Sequence, residues 1–276
     1  MIGKLIIVGT PIGNLQDFSQ RAIDTLKSVD FIAAEDTRVT LKLLNHFNIK
    51  KPLISYFEHS DKQKAEFICT RILNGETCAL VSDAGMPAIS DPGEKLVRLC
   101  EEKGIPVTVI PGPSAFTAAL CISGISSGRF TFEGFLSVNK KSRREHLNEL
   151  KFEKRTMIFY EAPHKLKNTI HDLYDTLGDR KIAIVRELTK IHEEVIRTTL
   201  QGACNMLEST ALKGEIVIIV EGFSKAEVTT VSKDEAVKTV GKFLNEKLSL
   251  SQATKLAAKE TGLSKSELYR LFLNKN

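Results

Sequence analysis

The run Cys78-Ala79-Leu80-Val81-Ser82-Asp83-Ala84-Gly85-Met86-Pro87-Ala88-Ile89-Ser90-Asp91-Pro92-Gly93-Glu94 decides how the first half of the chain reads. Its four apolar leading residues make a short strand buried on both faces. Its end, Asp91-Pro92-Gly93-Glu94, predicts a helix start, with Asp91 as N-cap, proline in the first turn and Glu94 three residues after the cap. Residues 82–93 between them are small, polar or proline almost throughout. A plain connection would not require such a density of special residues. A stiff loop of this kind lets backbone amides and carbonyls approach a flat ligand.

Strand, loop, helix is one step of a longer alternation. Leu5–Val8, Phe31–Ala34, Leu53–Tyr56 and Val107–Ile110 are further short β-rich runs. Between them, Ala22/Ile23/Leu26/Val29, Leu41/Leu44/Phe47 and Ala65/Ile68/Ile72 recur at helical spacing. The fold class expected is α/β, a mainly parallel sheet with helices on both faces, over residues 1–124. The small, flexible stretch Ser123-Gly124-Ile125-Ser126-Ser127-Gly128 is the expected linker. A second domain, 125–224, carries strands at Phe130–Phe132, Thr156–Tyr160, Ile182–Val185, Val195–Thr199 and Ile216–Val220, with helices near 142–150, 163–176 and 202–209. Only a short polar loop separates strands 182–187 and 195–200, which predicts an antiparallel hairpin and therefore a mixed sheet.

Beyond Gly222 the pattern is helical. One helix spans Ser249–Thr261, Gly262-Leu263 breaks it, and Ser264-Lys265-Ser266-Glu267 is a capping box that opens the next. The segment 230–276 thus has the shape of a helix-turn-helix, and a small structural three-helix bundle fits the same pattern.

Composition bounds the function classes. The 276 residues are 42% hydrophobic and 26% charged, as in a soluble globular protein, and no apolar run is long enough to cross a bilayer. The apolar N-terminal run ends at Gly9 and Pro11, too soon for a signal-peptide core. Five scattered cysteines without a C-x-x-C pair argue for free thiols in a reducing, cytoplasmic setting and against a zinc site or any other metal. The formal net charge is +5, and Val231–Asn276 alone holds nine Lys/Arg against five Asp/Glu. That tail suits contact with a polyanion, and a solvated helical surface accounts for it equally well.

In open α/β sheets, ligands bind beyond the carboxyl ends of the strands. Four loops there are unusual. Val8–Leu15 holds two glycines but matches neither a dinucleotide fingerprint nor a phosphate loop. Glu35-Asp36-Thr37-Arg38 pairs two acids, with Asp36 placed to cap a helix and Arg38 to face the cleft. The third is the 82–93 loop. The fourth, Ile110–Ala115, puts Ser114 at a helix start whose free amides suit a carboxylate or hydroxyl. In the second half, Phe159–His164 and Arg186–Lys190 also lie at strand ends, with His164 read as a capping or surface residue.

V-G-T-P-I-G-N-L (8–15), A-E-D-T-R (34–38), S-D-A-G-M-P-A-I-S-D-P-G (82–93), P-G-P-S-A (111–115), E-G-F-L (133–136), Y-E-A-P-H (160–164) and R-E-L-T-K (186–190) occur in an order that resembles the ribosomal RNA small subunit methyltransferase I family. This is the RNA-modifying branch of the tetrapyrrole methylases. The likeness runs from about Lys4 to Gly222, and the C-terminal helices resemble that family's appendage. A small departure is Ser137, where a proline after Leu136 is frequent in relatives.

The resemblance implies a class III methyltransferase of two unequal α/β domains, a homodimer, with S-adenosyl-L-methionine folded into the cleft between the domains. It implies cofactor contacts at Thr10, Pro11, Asp83, Ala84, Gly85, Ile89, Ser114 and Ala115, closed from the second domain by Phe159, Tyr160, Glu215 and Ile216. The reaction implied is 2'-O-methylation of a cytidine in small-subunit ribosomal RNA, free or in the assembled subunit. A ribose hydroxyl must lose its proton as it reacts, so a base or an alkoxide-stabilising cation is expected. Glu161, Glu187 and Lys190 are the candidates, Lys190 as the cation. Arg38, Lys140, Lys141, Arg143, Arg144, Lys255 and Lys265 are candidates for RNA contact. With no tryptophan and four tyrosines, RNA reading is expected to rest on basic side chains and shape more than on stacking. Two other readings are a methylase of a small macrocycle or modified protein side chain, which needs no basic tail, and a non-enzymatic nucleic-acid binder, which needs no glycine- and proline-rich strand-end loops.

Overall fold

Each short apolar run forms the strand expected of it in the computed structural model, which describes residues 2–57, 62–224, 233–245, 248–261 and 263–273. The first five strands are β1 (Leu5–Val8), β2 (Phe31–Ala34), β3 (Leu53–Ser55), β4 (Cys78–Val81) and β5 (Val107–Ile110). They pair in parallel in the order β3-β2-β4-β1-β5.

Side chains alternate across a strand, and the core records it. Leu5, Ile7, Phe31, Ala33, Cys78 and Leu80 face one way, onto α3 (Lys62–Leu73) and α4 (Glu94–Glu102). Ile6, Val8, Ile32, Ala34, Ala79 and Val81 face the other, onto α1 (Gln20–Ser28) and α2 (Thr37–His46). A sheet covered on both faces needs strands without polar positions, which is why these runs are continuously apolar. From β1 the chain crosses by α1 to β2 on one side. From β4 it crosses by α4 to β5 on the other. The switch between β1 and β4 opens a crevice at their carboxyl ends.

The second sheet has the order β6-β7-β10-β8-β9, from β6 (Phe130–Phe135), β7 (Thr156–Glu161), β8 (Lys181–Arg186), β9 (Glu194–Thr199) and β10 (Ile216–Val220). Only β6 and β7 are parallel, so the sheet is mixed, and β8–β9 is the expected hairpin. The helix α5 (Ala115–Ser123), which leaves β5, packs Ala119 and Leu120 onto Ile158, Ala183, Val185 and Val217 of this sheet. The expected linker is pinned: Arg197 donates to the carbonyls of Ile122 and Ser123, and the Ser123 hydroxyl accepts from the Ile125 amide. The remaining helices here are α6 (Lys140–Glu149), α7 (Leu166–Leu177) and α8 (Leu200–Ser209).

Both sheets belong to one compact unit, residues 1–148 and 156–221, and residues 149–155 and 222–276 form a second. In the second, α9 (Lys233–Asn245), α10 (Leu250–Thr261) and α11 (Lys265–Leu273) enclose Ala236, Val240, Ala253, Ala257 and Leu268. Ser249 and Gln252 exchange hydrogen bonds at the start of α10 as a capping box requires, and at the start of α11 the Ser264 hydroxyl accepts the Glu267 amide, one half of the expected box. Lys255 is exposed, and Lys265 donates to the Ser251 hydroxyl. The break at Gly262 and the start of the appendage at 230 lie outside the described residues. Among those described, no helix is long and apolar enough to cross a membrane.

Candidate active site

Two loops at the switch point are stapled together. Thr10 and Gly85 exchange backbone hydrogen bonds (2.9 and 3.1 Å), and the Thr10 hydroxyl donates to the Ser82 carbonyl. Behind them Gly9 and Gly112 meet backbone to backbone, and a Cβ on Gly112 would lie 2.8 Å from the Gly9 Cα. No side chain fits between these strand ends. The 82–93 loop bends hard: Ala88 and Ser90 have φ of 68° and 60°, and Gly93 has φ of 145°. Non-glycine residues in this region cost energy and persist where the surrounding structure demands them, often at functional sites.

These loops and one face of the second sheet enclose a cavity of about 380 Å3, lined among others by Ile12, Gly85, Met86, Ile89, Asp91 and Tyr160. That volume is within the usual range of small-molecule sites. Of the residues expected to touch a cofactor, Ala84, Gly85, Ile89, Ser114, Ala115, Tyr160, Glu215 and Ile216 line it. Thr10 is buried as part of the staple, and Thr10, Pro11 and Asp83 are absent from the lining. Phe159 is enclosed in the core, whereas Tyr160 and Glu161 at the end of β7 line the cavity.

Asp91 departs from its expected part. Helix α4 starts at Glu94, the residue before it is Gly93, and no side chain caps it. The positive φ of Gly93 turns the chain so that Asp91 lines the cavity instead. Burial, helped by the charges of Glu35 and Asp83 and opposed by the Ser82 hydroxyl, raises its pKa to about 7. A carboxyl poised there accepts a proton at neutral pH. Met86, Phe135, Pro163, Leu188 and Val217 also line the cavity and were not singled out from the sequence as contacts. The density of small residues and prolines over the whole 82–93 loop marked Asp91's segment in advance.

Tyr160 is anchored at its tip. Its hydroxyl accepts the Phe116 amide at 3.2 Å, so this amide of the α5 N-terminus is occupied rather than open to a ligand. Burial, with Asp91 adding to it, pushes the Tyr160 phenol up to about 12, so it stays neutral.

Glu161 is buried, and its carboxylate accepts from the Ala162 amide and the Thr169 hydroxyl. Arg143 also donates to Thr169 and pairs with Asp172 at 2.6 Å, which turns its guanidinium inward. Lys140, Lys141 and Arg144 are exposed at the start of α6, where Asn139 accepts from the amides of Lys141 and Ser142. Asp36 caps α2 through the Arg38 amide and also binds the exposed Arg38 side chain.

Glu187 and Lys190 lie beside the cavity without lining it. The Lys190 ammonium reaches Glu187 at 2.9 Å and Glu215 at 3.1 Å, and Glu187 also accepts the Glu215 amide. Burial opposes the charge on Lys190, but the two carboxylates prevail and raise its pKa; the Glu215 amide and Lys190 lower that of Glu187. Both are ionised. Glu187 and Thr189 have φ of 52° and 64°, and a Cβ on Gly13 would lie 2.6 Å from the Lys190 side chain. The ion pairs hold a strained loop against the β1–α1 loop, and that loop delivers Leu188 to the cavity. Among the described residues no group of three could hold a metal ion.

The comparisons agree with this architecture. Residues 4–204 match the tetrapyrrole (corrin/porphyrin) methylases, and 231–275 match the RsmI C-terminal HTH domain. The ribosomal RNA small subunit methyltransferase I of Xylella fastidiosa is 47% identical over 97% of this chain and 98% of its own. That of Synechocystis sp. is 44% identical over 99% and 98%. Among solved structures, uroporphyrin-III C-methyl transferase from Thermus thermophilus, complexed with S-adenyl homocysteine, superposes with a TM-score of 0.57 at 16% identity, covering 79% of this chain and 97% of that one. A strained loop pair at the switch point, a matching methylase domain and relatives similar end to end lead to one conclusion: the chain belongs to the ribosomal RNA small subunit methyltransferase I family of tetrapyrrole methylases.

Proposed function

We propose that this protein uses S-adenosyl-L-methionine to methylate the 2'-hydroxyl of a cytidine in small-subunit ribosomal RNA, as a cytoplasmic homodimer. The observation that carries the reading is the cavity at the β1/β4 switch point, in a chain whose relatives are named ribosomal RNA small subunit methyltransferase I. Apolar walls from Ile12, Met86, Ile89, Leu188 and Val217 suit a flat purine. When bound, S-adenosyl-L-methionine supplies a methyl group already activated on a sulfonium.

The chain's own work is to exclude water, orient the acceptor and manage one proton. In this reading Asp91 would take the proton of the ribose hydroxyl as the methyl passes from the sulfonium sulfur to that oxygen, the C–S bond breaking and the thioether leaving as the O–C bond forms. Lys190 and Glu187 position the Leu188 loop, because their charges are spent on each other and on Glu215. Lys190→Ala should then lower kcat without moving the pH limb set by Asp91. Lys140, Lys141 and Arg144 are exposed for phosphate contact, with Lys255 and Lys265 of the C-terminal helices, and Arg38, also exposed, would have to leave Asp36 to join them.

The test is mass-spectrometric mapping of small-subunit ribosomal RNA from a strain lacking the protein. One 2'-O-methylcytidine should disappear and return when the gene is restored. An unchanged map, with S-adenosyl-L-methionine binding intact by calorimetry, would favour a small-molecule or protein acceptor.

A further inference from the structure

The basic and shape-based RNA reading expected from the sequence leaves out a group of aromatic rings at the cavity mouth. Phe116 stacks on Phe132 (4.6 Å between ring centroids), Phe132 meets the edge of Tyr160 (5.0 Å), and Tyr160 meets the edge of Phe135 (5.6 Å). The inner rings are partly buried and Tyr160 is tied to the Phe116 amide. Phe135 is the open end: it lines the cavity yet remains 59% exposed.

The backbone aims it there. The pairing of β6 with β7 shifts register between Phe132 and Gly134, and Gly134 has φ of 63°. A bulge of this kind re-aims the side chain that follows it. Gly134 also sits against Ser90 of the strained loop, where an added Cβ would lie 3.4 Å from the Ser90 hydroxyl. Without the bulge, strict alternation along β6 would set Phe135 on the face opposite Phe132 and Tyr160. Five residues further on the exposed cations begin: Lys140, Lys141 and Arg144. An exposed ring beside a basic stretch is the arrangement by which proteins hold an unpaired base and its phosphates.

We infer that Phe135 is the stacking platform for the unpaired nucleobase whose ribose enters the cavity. This rests on the RNA methylation reading above. The base lies on the open face of the ring, Tyr160 braces the edge, and the α6 cations hold neighbouring phosphates. Stacking recognises a π-face and not a particular base, so the platform contributes affinity and orientation rather than the choice of cytidine.

The test uses the full-length protein, S-adenosyl-L-methionine carrying a labelled methyl, and small-subunit ribosomal RNA from a strain lacking the enzyme. Phe135→Ala should raise KM for RNA or lower kcat/KM by roughly 10-fold or more. Phe135→Tyr and Phe135→Trp should restore it, whereas Phe135→Leu, apolar but without a π-face, should not. S-adenosyl-L-methionine affinity by calorimetry should change far less than KM for RNA, and the association state by sedimentation should be unchanged, in all four. Full activity in Phe135→Leu would overturn the platform in favour of plain packing. A matching loss of S-adenosyl-L-methionine affinity would make Phe135 a wall of the cofactor site, and a changed association state would make it a subunit contact. If the unaltered protein transfers no methyl to RNA, the RNA reading itself falls and the platform with it. If it does and Phe135→Ala matches it, the platform alone is lost.

Discussion

The two sheets border one cavity and contribute to it in different ways. In the all-parallel sheet, β1, β2 and β4 are buried throughout, so they have no side chain to spare for chemistry. Its contribution comes from the loops beyond the strand ends, which accept positive φ at Ala88 and Ser90 because the Thr10–Gly85 staple and the Gly9–Gly112 contact constrain the backbone around them. In the mixed sheet the strands themselves supply the wall. Tyr160, Val217 and, through a bulge, Phe135 reach the cavity from strand positions. Strain at loop ends places the titrating group, and strand positions, one of them re-aimed by a bulge, place the rings.

The sharpest way to break this contrast is to remove the loop's charge. Asp91→Asn should lower kcat by about 10² to 10⁴-fold. In the unaltered protein kcat should rise with pH and level off above about 7, because the base must be ionised to act. The variant's profile should be flat there, and an unchanged profile would end Asp91's candidacy. The same group should show in stability. A carboxyl raised from 3.8 to about 7 makes the folded state hold an extra proton between those values, so stability falls as pH rises through that window. Asp91→Asn should abolish that fall in denaturation midpoints measured across pH. The loss of activity without loss of stability would mark the loop as built for chemistry.

Within the parallel sheet, centre and edge should differ. Leu80→Ala, at a position with no exposed surface, should cost about 2–5 kcal/mol in urea unfolding. Val109→Ala on the edge strand β5, where the side chain is half exposed, should stay within about 0.5 kcal/mol. Gly112→Ala tests the backbone contact under the loops and should cost about 1–3 kcal/mol, since the new Cβ meets backbone that cannot step aside. Equal costs at Leu80 and Val109 would show that burial does not distinguish the two strands.

The smallest effects separate two neighbouring arginines of the second lobe. Arg143→Ala should lower stability by about 1 kcal/mol, as it removes the ion partner of the half-exposed Asp172 and one of the hydrogen bonds at the Thr169 hydroxyl, which keeps its bond to Glu161. It should leave the salt dependence of RNA binding alone. Arg144→Ala should do the reverse, lowering the salt slope by about 0.7 with little change in stability. Filter binding at several salt concentrations distinguishes them, and a reduced slope for Arg143→Ala would show that its guanidinium leaves Asp172 to reach the RNA.

Much of this was legible in the residues. Continuous apolar runs such as Phe31–Ala34 announced strands buried on both faces, and the spacing of Ala65, Ile68 and Ile72 announced the helix beside them, because burial imposes those periods on any chain. The composition of 82–93 marked it as a site, since only special backbone demands so many small residues and prolines. Local signals also misled. Asp91-Pro92-Gly93-Glu94 has the form of a helix cap, and the positive φ of Gly93, which no residue pattern reveals, turned Asp91 into the cavity. Phe159 and Tyr160 were read together, although Phe159 is enclosed in the core and Tyr160 lines the cavity.

What the sequence determined by itself was the alternation of elements, the caps and the loops rich in glycine and proline, since each follows from local backbone energetics and the period of burial. What the tertiary structure decided was which charges remain free. Glu161, Glu187, Arg143 and Lys190 are all chemically capable residues, and each acquires a partner from another element of the second half of the chain: Thr169, the Glu215 amide, Asp172 and the Glu215 carboxylate. A carboxylate's reactivity is set by its burial and by the donors that reach it, and those are brought together only by the tertiary fold.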